Sequence, residues 1–330
     1  MKDFVIKNAG SDDLNFLFKK TDAEALTDWL KKQLEESAKK KAPSSYLRPE
    51  DVAKLDPFDI RKRKLAAIGE EFLGGETVEA GESREPQAEF KELIESERTK
   101  LSEFFGKPID VPPLPSEITP ERAAEWKKLG FELHYLPAED MTEDAPFPGW
   151  KKKPKAFFHK GISDGRIEKG AAKLPGTWLL IDGRSKPDYA DGRQMYKDDP
   201  LAPALEELRK KGVIGKSDDK PSIPIDSRFK LSWAELHAPE MRQKIAEILK
   251  TDPDRISLPR AIEWNVIGNI HHPEWGETNT WEWFEESYES SDRLDGGSSG
   301  SGGLSLVVSD DAGNRFGGIG FRPSVRFSSK

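Results

Sequence analysis

The chain has 330 residues, 35% of them hydrophobic and 34% charged, with a formal net charge of −8 and no cysteine. The missing thiols exclude disulfides, thiolate metal sites and cysteine nucleophiles, and the acidic balance argues against non-specific nucleic-acid binding. Nine Trp and 17 Phe need a core to cover them, so most of the chain is expected to fold.

Residues 1–110 read as a helical N-terminal region. Thr21 and Glu24 have the spacing of a capping box, and Ala23, Leu26, Leu30 and Leu34 then share one face. A second helix carries Leu65, Ile68 and Phe72 and stops at Gly74-Gly75. A third follows Pro86, with Phe90, Ile94, Leu101 and Phe105 as its apolar stripe. These helices are expected to attach the chain to a partner or to a second copy. Four prolines between Pro108 and Pro115 predict a stiff connector over 111–125, and a domain boundary there.

From 126 to 330 the texture changes. FELHYLP alternates Phe131, Leu133 and Tyr135 against Glu132 and His134, which predicts a strand. Trp178 to Ile181 predicts a buried strand. PLAPALEELRKKGVI predicts a helix stopped at Gly212. SWAELHAPEMRQKIAEILK, opened by Ser232 and Glu235, predicts one helix with Met241, Ile245, Ile248 and Leu249 inward. LPRAIEWNVIGNIHH predicts a further helix opened by Pro259, and the tail from Gly276 reads as short strands and loops. Strands, helices, then strands give an α+β class. The opening MKDFVIKNAGSDD lacks the apolar run of a signal peptide, and no window reaches the length of a membrane span. The expected location is cytoplasmic.

The informative stretch runs from Trp275 to Phe327. It combines Trp275, Trp281 and Trp283 with Gly296, Gly297, Gly302 and Gly303 and many small polar residues, the mixture that adaptable binding loops use. NTWEW (Asn279 to Trp283) is followed by RLDGGSS (Arg293 to Ser299), by Gly302-Gly303-Leu304, and by Gly320-Phe321-Arg322-Pro323. In this order the motifs resemble the formylglycine-generating-enzyme-like branch of the C-type lectin fold, and within it the variable proteins of diversity-generating retroelements. The resemblance is strong over about the last 70 residues, looser over the last 200, and does not reach the first 110.

That resemblance implies a C-type lectin fold for 126–330 with a hypervariable region at about 287–317, altered by an adenine-directed reverse transcriptase. Scaffold positions would be Trp281, Glu282, Trp283, Gly297, Leu304, Val307, Gly320, Phe321 and Arg322. The variable, ligand-binding positions would be Tyr288, Ser290, Ser291, Asp295, Ser298, Ser301, Ser305, Leu306, Val308, Asp310, Asn314 and Phe316. With small residues at several of these sites, contacts are expected to concentrate on Tyr288, Leu306, Val308 and Phe316. The implied function is ligand binding without catalysis or cofactor, toward a protein or other macromolecule. Two rivals are an enzyme of the same fold with another site, and a structural or assembly protein.

The residues themselves bear on these rivals. Formylglycine generation in this branch needs redox cysteines holding copper, and the chain has none. Sulfoxide synthesis needs iron on three histidines. The five here are His134, His159, His237, His271 and His272. Adjacent His271 and His272 with Glu274 lack a helical H-x-x-H spacing, so they read as a helix end and no metal site is expected. Asn279 and Glu282 could hold calcium, but more readily orient loops, with Arg322 as the partner of a buried Glu282. GWKKKPK (Gly149 to Lys155) reads as a solvated loop ahead of a phosphate patch, and the serines of GGSS have no base in any known motif. The linker-like DGGSSGSGG is expected to be scaffold turns, not a flexible tether.

Overall fold

A computed structural model describes residues 88–216 and 222–327. The chain divides into two compact units, Met1–Arg84 and Glu85–Lys330, and all described residues belong to the second. The helices expected from Thr21 and around Leu65 to Phe72 lie outside the described residues.

The second unit is α+β, with seven α-helices and two four-stranded sheets among the described residues. Helix α1 is Ala88–Phe105, α2 Pro120–Lys128, α3 Ala156–Ser163, α4 Ala202–Lys210, α5 Trp233–Leu236, α6 Pro239–Leu249 and α7 Ala261–Ile270. The strands are β1 Phe131–Leu136, β2 Thr177–Asp182, β3 Ile256–Ser257, β4 Trp281–Tyr288, β5 Asp292–Gly296, β6 Val307–Asp311, β7 Ile319–Gly320 and β8 Ser324–Phe327.

One sheet has the order β1-β2-β8-β3 and is antiparallel throughout. Its third member, β8, closes the gap between β2 and β3. The other sheet runs β6-β5-β4-β7, with β4 and β7 parallel and a register shift between Trp283 and Ser287. Helix α7 has Ala261 through Gly268 all buried, Glu263 and Asn265 included, so this stretch has no solvated face. A helix covered on every side lies inside the fold, and α7 packs against α1, β4 and β5, with Glu263 paired to Arg326 and Asn265 bonded to the Trp150 ring N–H.

The expected boundary at 111–125 is corrected. The stripe of α1 buries Ile94, Leu101 and Phe105, and the Pro-rich stretch buries Ile109, Val111 and Ile118 in the same core. The prolines shape a segment laid along the unit, and the chain divides earlier, between Arg84 and Glu85. The helix expected from Ser232 is also two helices. Its capping box forms, with Ser232 Oγ accepting from Glu235 N–H. Pro239 then forces Ala238 into an extended conformation, with ψ 138°, because the proline ring clashes with a preceding helical residue. Met241, Ile245 and Leu249 still face inward. No helix is long and apolar enough to cross a membrane among the described residues.

Candidate functional site

The NTWEW and GFRP segments meet at one buried ion pair. Glu282 on β4 and Arg322 just beyond β7 are both fully buried, with Arg322 Nη2 3.0 Å from Glu282 Oε1. Trp264 Nε1 of α7 donates to Glu282 Oε2 at 2.7 Å, and the Tyr196 hydroxyl donates to Oε1. Burial alone would raise the Glu282 pKa, but Arg322 and Lys186 override it and hold the carboxylate charged. Arg322 is the donor expected for Glu282 from the sequence.

Lys186 is buried behind the glycine turn. Its ammonium donates to the carbonyls of Thr280 and Gly297 at 2.8 and 2.9 Å and lies over the Trp264 ring. Burial pulls its pKa down to about 8, against the charge of Glu282. Gly297 has φ +94°, and a Cβ there would come 2.8 Å from both Lys186 Nζ and the Trp264 ring. Gly302 and Gly303 also take positive φ, and short 3-10 turns at Ser299–Ser301 and Gly303–Ser305 bury Leu304. The Gly/Ser stretch is thus folded backbone, as the motif order implied.

The twelve expected surface positions divide. Ser290, Ser291, Ser301, Asn314 and Phe316 are exposed, while Ser305, Val308 and Asp310 are half-buried. Tyr288, Asp295, Ser298 and Leu306 are buried, so the expectation of outward side chains is corrected there. Tyr288 stacks on Phe157, with centroids 5.1 Å apart, and accepts from Arg166 at 2.6 Å. Ser298 Oγ donates to the Asn279 carbonyl at 3.2 Å. Leu306 lies inward ahead of β6. Asp295 accepts from no N–H or O–H donor, and burial, with the Asp310 carboxyl beside it, pushes its pKa well up. Residue types cannot show this division, because it depends on which side of β5 and of each turn meets the second layer.

Of the scaffold positions, Trp283, Leu304, Val307 and Phe321 are buried, and a Cβ at Gly320 would press on the Phe229 ring at 3.1 Å. Trp281 is half-buried beside Tyr189. A Cβ on Gly318 would lie 3.3 Å from Trp281 and 3.9 Å from Tyr189. Tyr189 and Phe316, at 40% and 42% exposure, are the exposed large hydrophobics among the described residues. Asn279 Oδ1 accepts from Tyr189 N–H at 2.7 Å, so NTWEW also fixes this aromatic edge. Tyr189 escaped the sequence reading because nothing around it has a repeating pattern.

A second constellation lies elsewhere in the unit. β1 carries Glu132 and His134, α1 carries Glu97, and the end of α7 carries His271 and His272. The strand read from FELHYLP forms, and His134 on it is buried, because Glu97 of α1 reaches its face. Glu97 reaches down from α1 to bond the His134 ring at 3.2 Å and Tyr135 N–H at 3.0 Å. His271 caps the C-terminus of α7, the helix end read from the sequence. The two groups Glu97/His134/His271 and Glu132/His134/His272 each bring their ligand atoms within 4.8 Å of one another. Sequence reasoning considered His271 and His272 only with their neighbours, and missed His134 and Glu132 because the strand lies far away in the chain.

No protein-family model, curated protein or solved structure matches the chain.

Proposed function

We propose that this chain is a non-catalytic ligand-binding protein of the retroelement variable type, built on a C-type lectin scaffold. The binding face comprises Ser290, Ser291, Ser301, Asn314 and Phe316, with Tyr189 and Trp281 as an aromatic edge. Ser305, Val308 and Asp310 flank it. The ligand is a protein or other macromolecule. The observation that carries this reading is the separation of tasks between buried and exposed positions of one motif set. Glu282, Arg322, Trp283 and Gly297 are locked in the interior, while the loops between them expose Ser290, Ser291, Ser301, Asn314 and Phe316. Such loops can change specificity without unfolding the domain. Tyr, Phe and Trp at a partly exposed edge supply rigid contact area with few rotatable bonds.

Saturation substitution of the full chain tests this reading, with folded yield and melting temperature as readouts. Most replacements at Ser290, Ser291, Ser301, Asn314 and Phe316 should leave both unchanged. Most replacements at Glu282, Trp283, Gly297 and Arg322 should abolish them. Equal sensitivity in the two sets would overturn the proposal. Sequencing the flanking DNA tests the family: a near-copy of the codons for 288–327, differing at adenines and beside a reverse-transcriptase gene, is expected.

A further inference from the structure

Three side chains of the histidine cluster form a half-built coordination shell. Glu132 Oε2 lies 3.3 Å from His134 Nε2 and 3.1 Å from His272 Nε2. Donor atoms around a tetrahedral zinc ion, each about 2.0–2.1 Å from the metal, lie about 3.3 Å apart. The two distances from Glu132 therefore match edges of such a polyhedron, and all three ligand atoms lie within 4.8 Å of one another. Two histidines and one carboxylate are also a common ligand set for divalent transition metals that keep a position open.

The hydrogen bonds around the cluster aim the free ring nitrogens at this point. His134 Nδ1 lies 3.2 Å from Glu97 Oε1, and His272 Nδ1 lies 2.9 Å from Glu274 Oε1. A carboxylate on Nδ1 fixes the tautomer with its proton there and turns the Nε2 lone pair outward, as carboxylates behind metal-bound histidines do. His134 Nε2 is buried, and its one near partner is the Glu132 carboxylate at 3.3 Å, outside good hydrogen-bond geometry. A buried nitrogen facing a carboxylate without good hydrogen-bond geometry leaves room for an ion between the two.

The frame is rigid on the buried side and open on the other. His272 stacks on Trp275 with centroids 4.5 Å apart and planes 3° from parallel. Trp275 in turn lies under the Arg322 guanidinium at 3.8 Å, so the cluster rests on the Glu282–Arg322 pair. A Cβ at Gly183 would come 2.5 Å from Glu132 Oε1, so glycine leaves room for the carboxylate. The Glu132 side chain is 45% exposed, which leaves further coordination positions to solvent.

The neighbouring group of Glu97, His134 and His271 does not suit a cation. Lys100 Nζ stands 3.3 Å from His271 Nδ1. That contact makes Nδ1 the acceptor and leaves Nε2 to carry the proton toward Glu97, 3.4 Å away. The lysine charge also repels an ion.

We propose that Glu132, His134 and His272 bind one divalent transition-metal ion, with Glu97 and Glu274 as positioning residues and water completing the shell. The test uses the full chain, stripped with a chelator and titrated with Zn²⁺ against a chromophoric competitor. One ion per chain is expected, and Zn²⁺ should raise the melting temperature. E132Q and H272Q should each weaken binding at least tenfold and lose the zinc-dependent rise. Glu132 is near the surface, so E132Q should keep the wild-type circular dichroism. E274Q, which removes no ligand, should weaken binding about 10–100-fold, and H159Q should change nothing. Co²⁺ should give visible absorption that E132Q alters. Absence of stoichiometric binding would overturn the proposal, as would equal affinity in wild type, E132Q and H272Q. So would variants that lower the melting temperature equally with and without zinc, the result expected of a simple ion-pair network.

Discussion

At the scale of single residues, the motif set reads as a list of positions with no freedom. At Gly297, Ala would bring both an unfavourable positive φ and a methyl group 2.8 Å from Lys186 Nζ and Trp264. Gly297→Ala is expected to cost about 2–3 kcal/mol, read from the midpoint of urea unfolding. Glu282→Gln keeps the shape but leaves Arg322 without its counter-charge in a fully buried site. Breaking such a pair costs about 3–5 kcal/mol, so a large fall in melting temperature is expected, and an unchanged value would contradict the account. Phe316→Ser removes an exposed ring, and its stability should stay within about 0.5 kcal/mol of wild type in the same urea measurement. The Glu282–Arg322 partnership was legible in the sequence because a carboxylate between two tryptophans needs a donor. The inward turn of Tyr288, Asp295, Ser298 and Leu306 was not, since small and polar residues have no periodic pattern to reveal which side they face.

At the scale of elements, the start of α7 gathers two buried carboxylates with opposite behaviour. Glu263 pairs with Arg260 and Arg326. Burial opposes its charge, but the two arginines prevail and lower its pKa to about 2. Glu286 accepts from Ala261 N–H at the same helix end, and burial, with Glu263 nearby, raises its pKa to about 8. The signs follow from linkage. Glu263 contributes stability that is present above its ordinary pKa of 4.5 and is lost as pH falls toward about 2. Folded Glu286 keeps a proton that the unfolded chain releases, so its contribution declines as pH rises from 4.5 to about 8. Denaturant melts across this range should show an alkaline decline on the order of a few kcal/mol, and Glu286→Gln should flatten it. Element types were largely legible here. The stripe of α1, the apolar run of β2 and the Ser232 cap are local signals that the fold keeps. The alternation of β1 gave the strand but not its cover: α1 supplies Glu97 to the face that holds His134. The metal-type cluster was illegible for a related reason: Glu132 and His272 are 140 positions apart, and only the packing of β1 beside the end of α7 brings them together.

At the scale of the whole second unit, β8 sits inside its sheet, bonded to β2 on one side and β3 on the other. A chain stopped after Pro323 would lack both ladders and leave the inner edges of β2 and β3 bare. Such a truncation is expected to lose near-ultraviolet circular dichroism and to aggregate. The strand also makes long-range closures: the Ser257–Ser324 contact spans 67 positions and the Thr177–Phe327 contact spans 150. On the ribosome, then, the nascent unit waits with an open sheet until nearly everything through Phe327 has emerged. A chain cut short by a stop codon or a frameshift before β8 never makes the closing strand, and its bare β2 and β3 edges are open to proteolysis and aggregation.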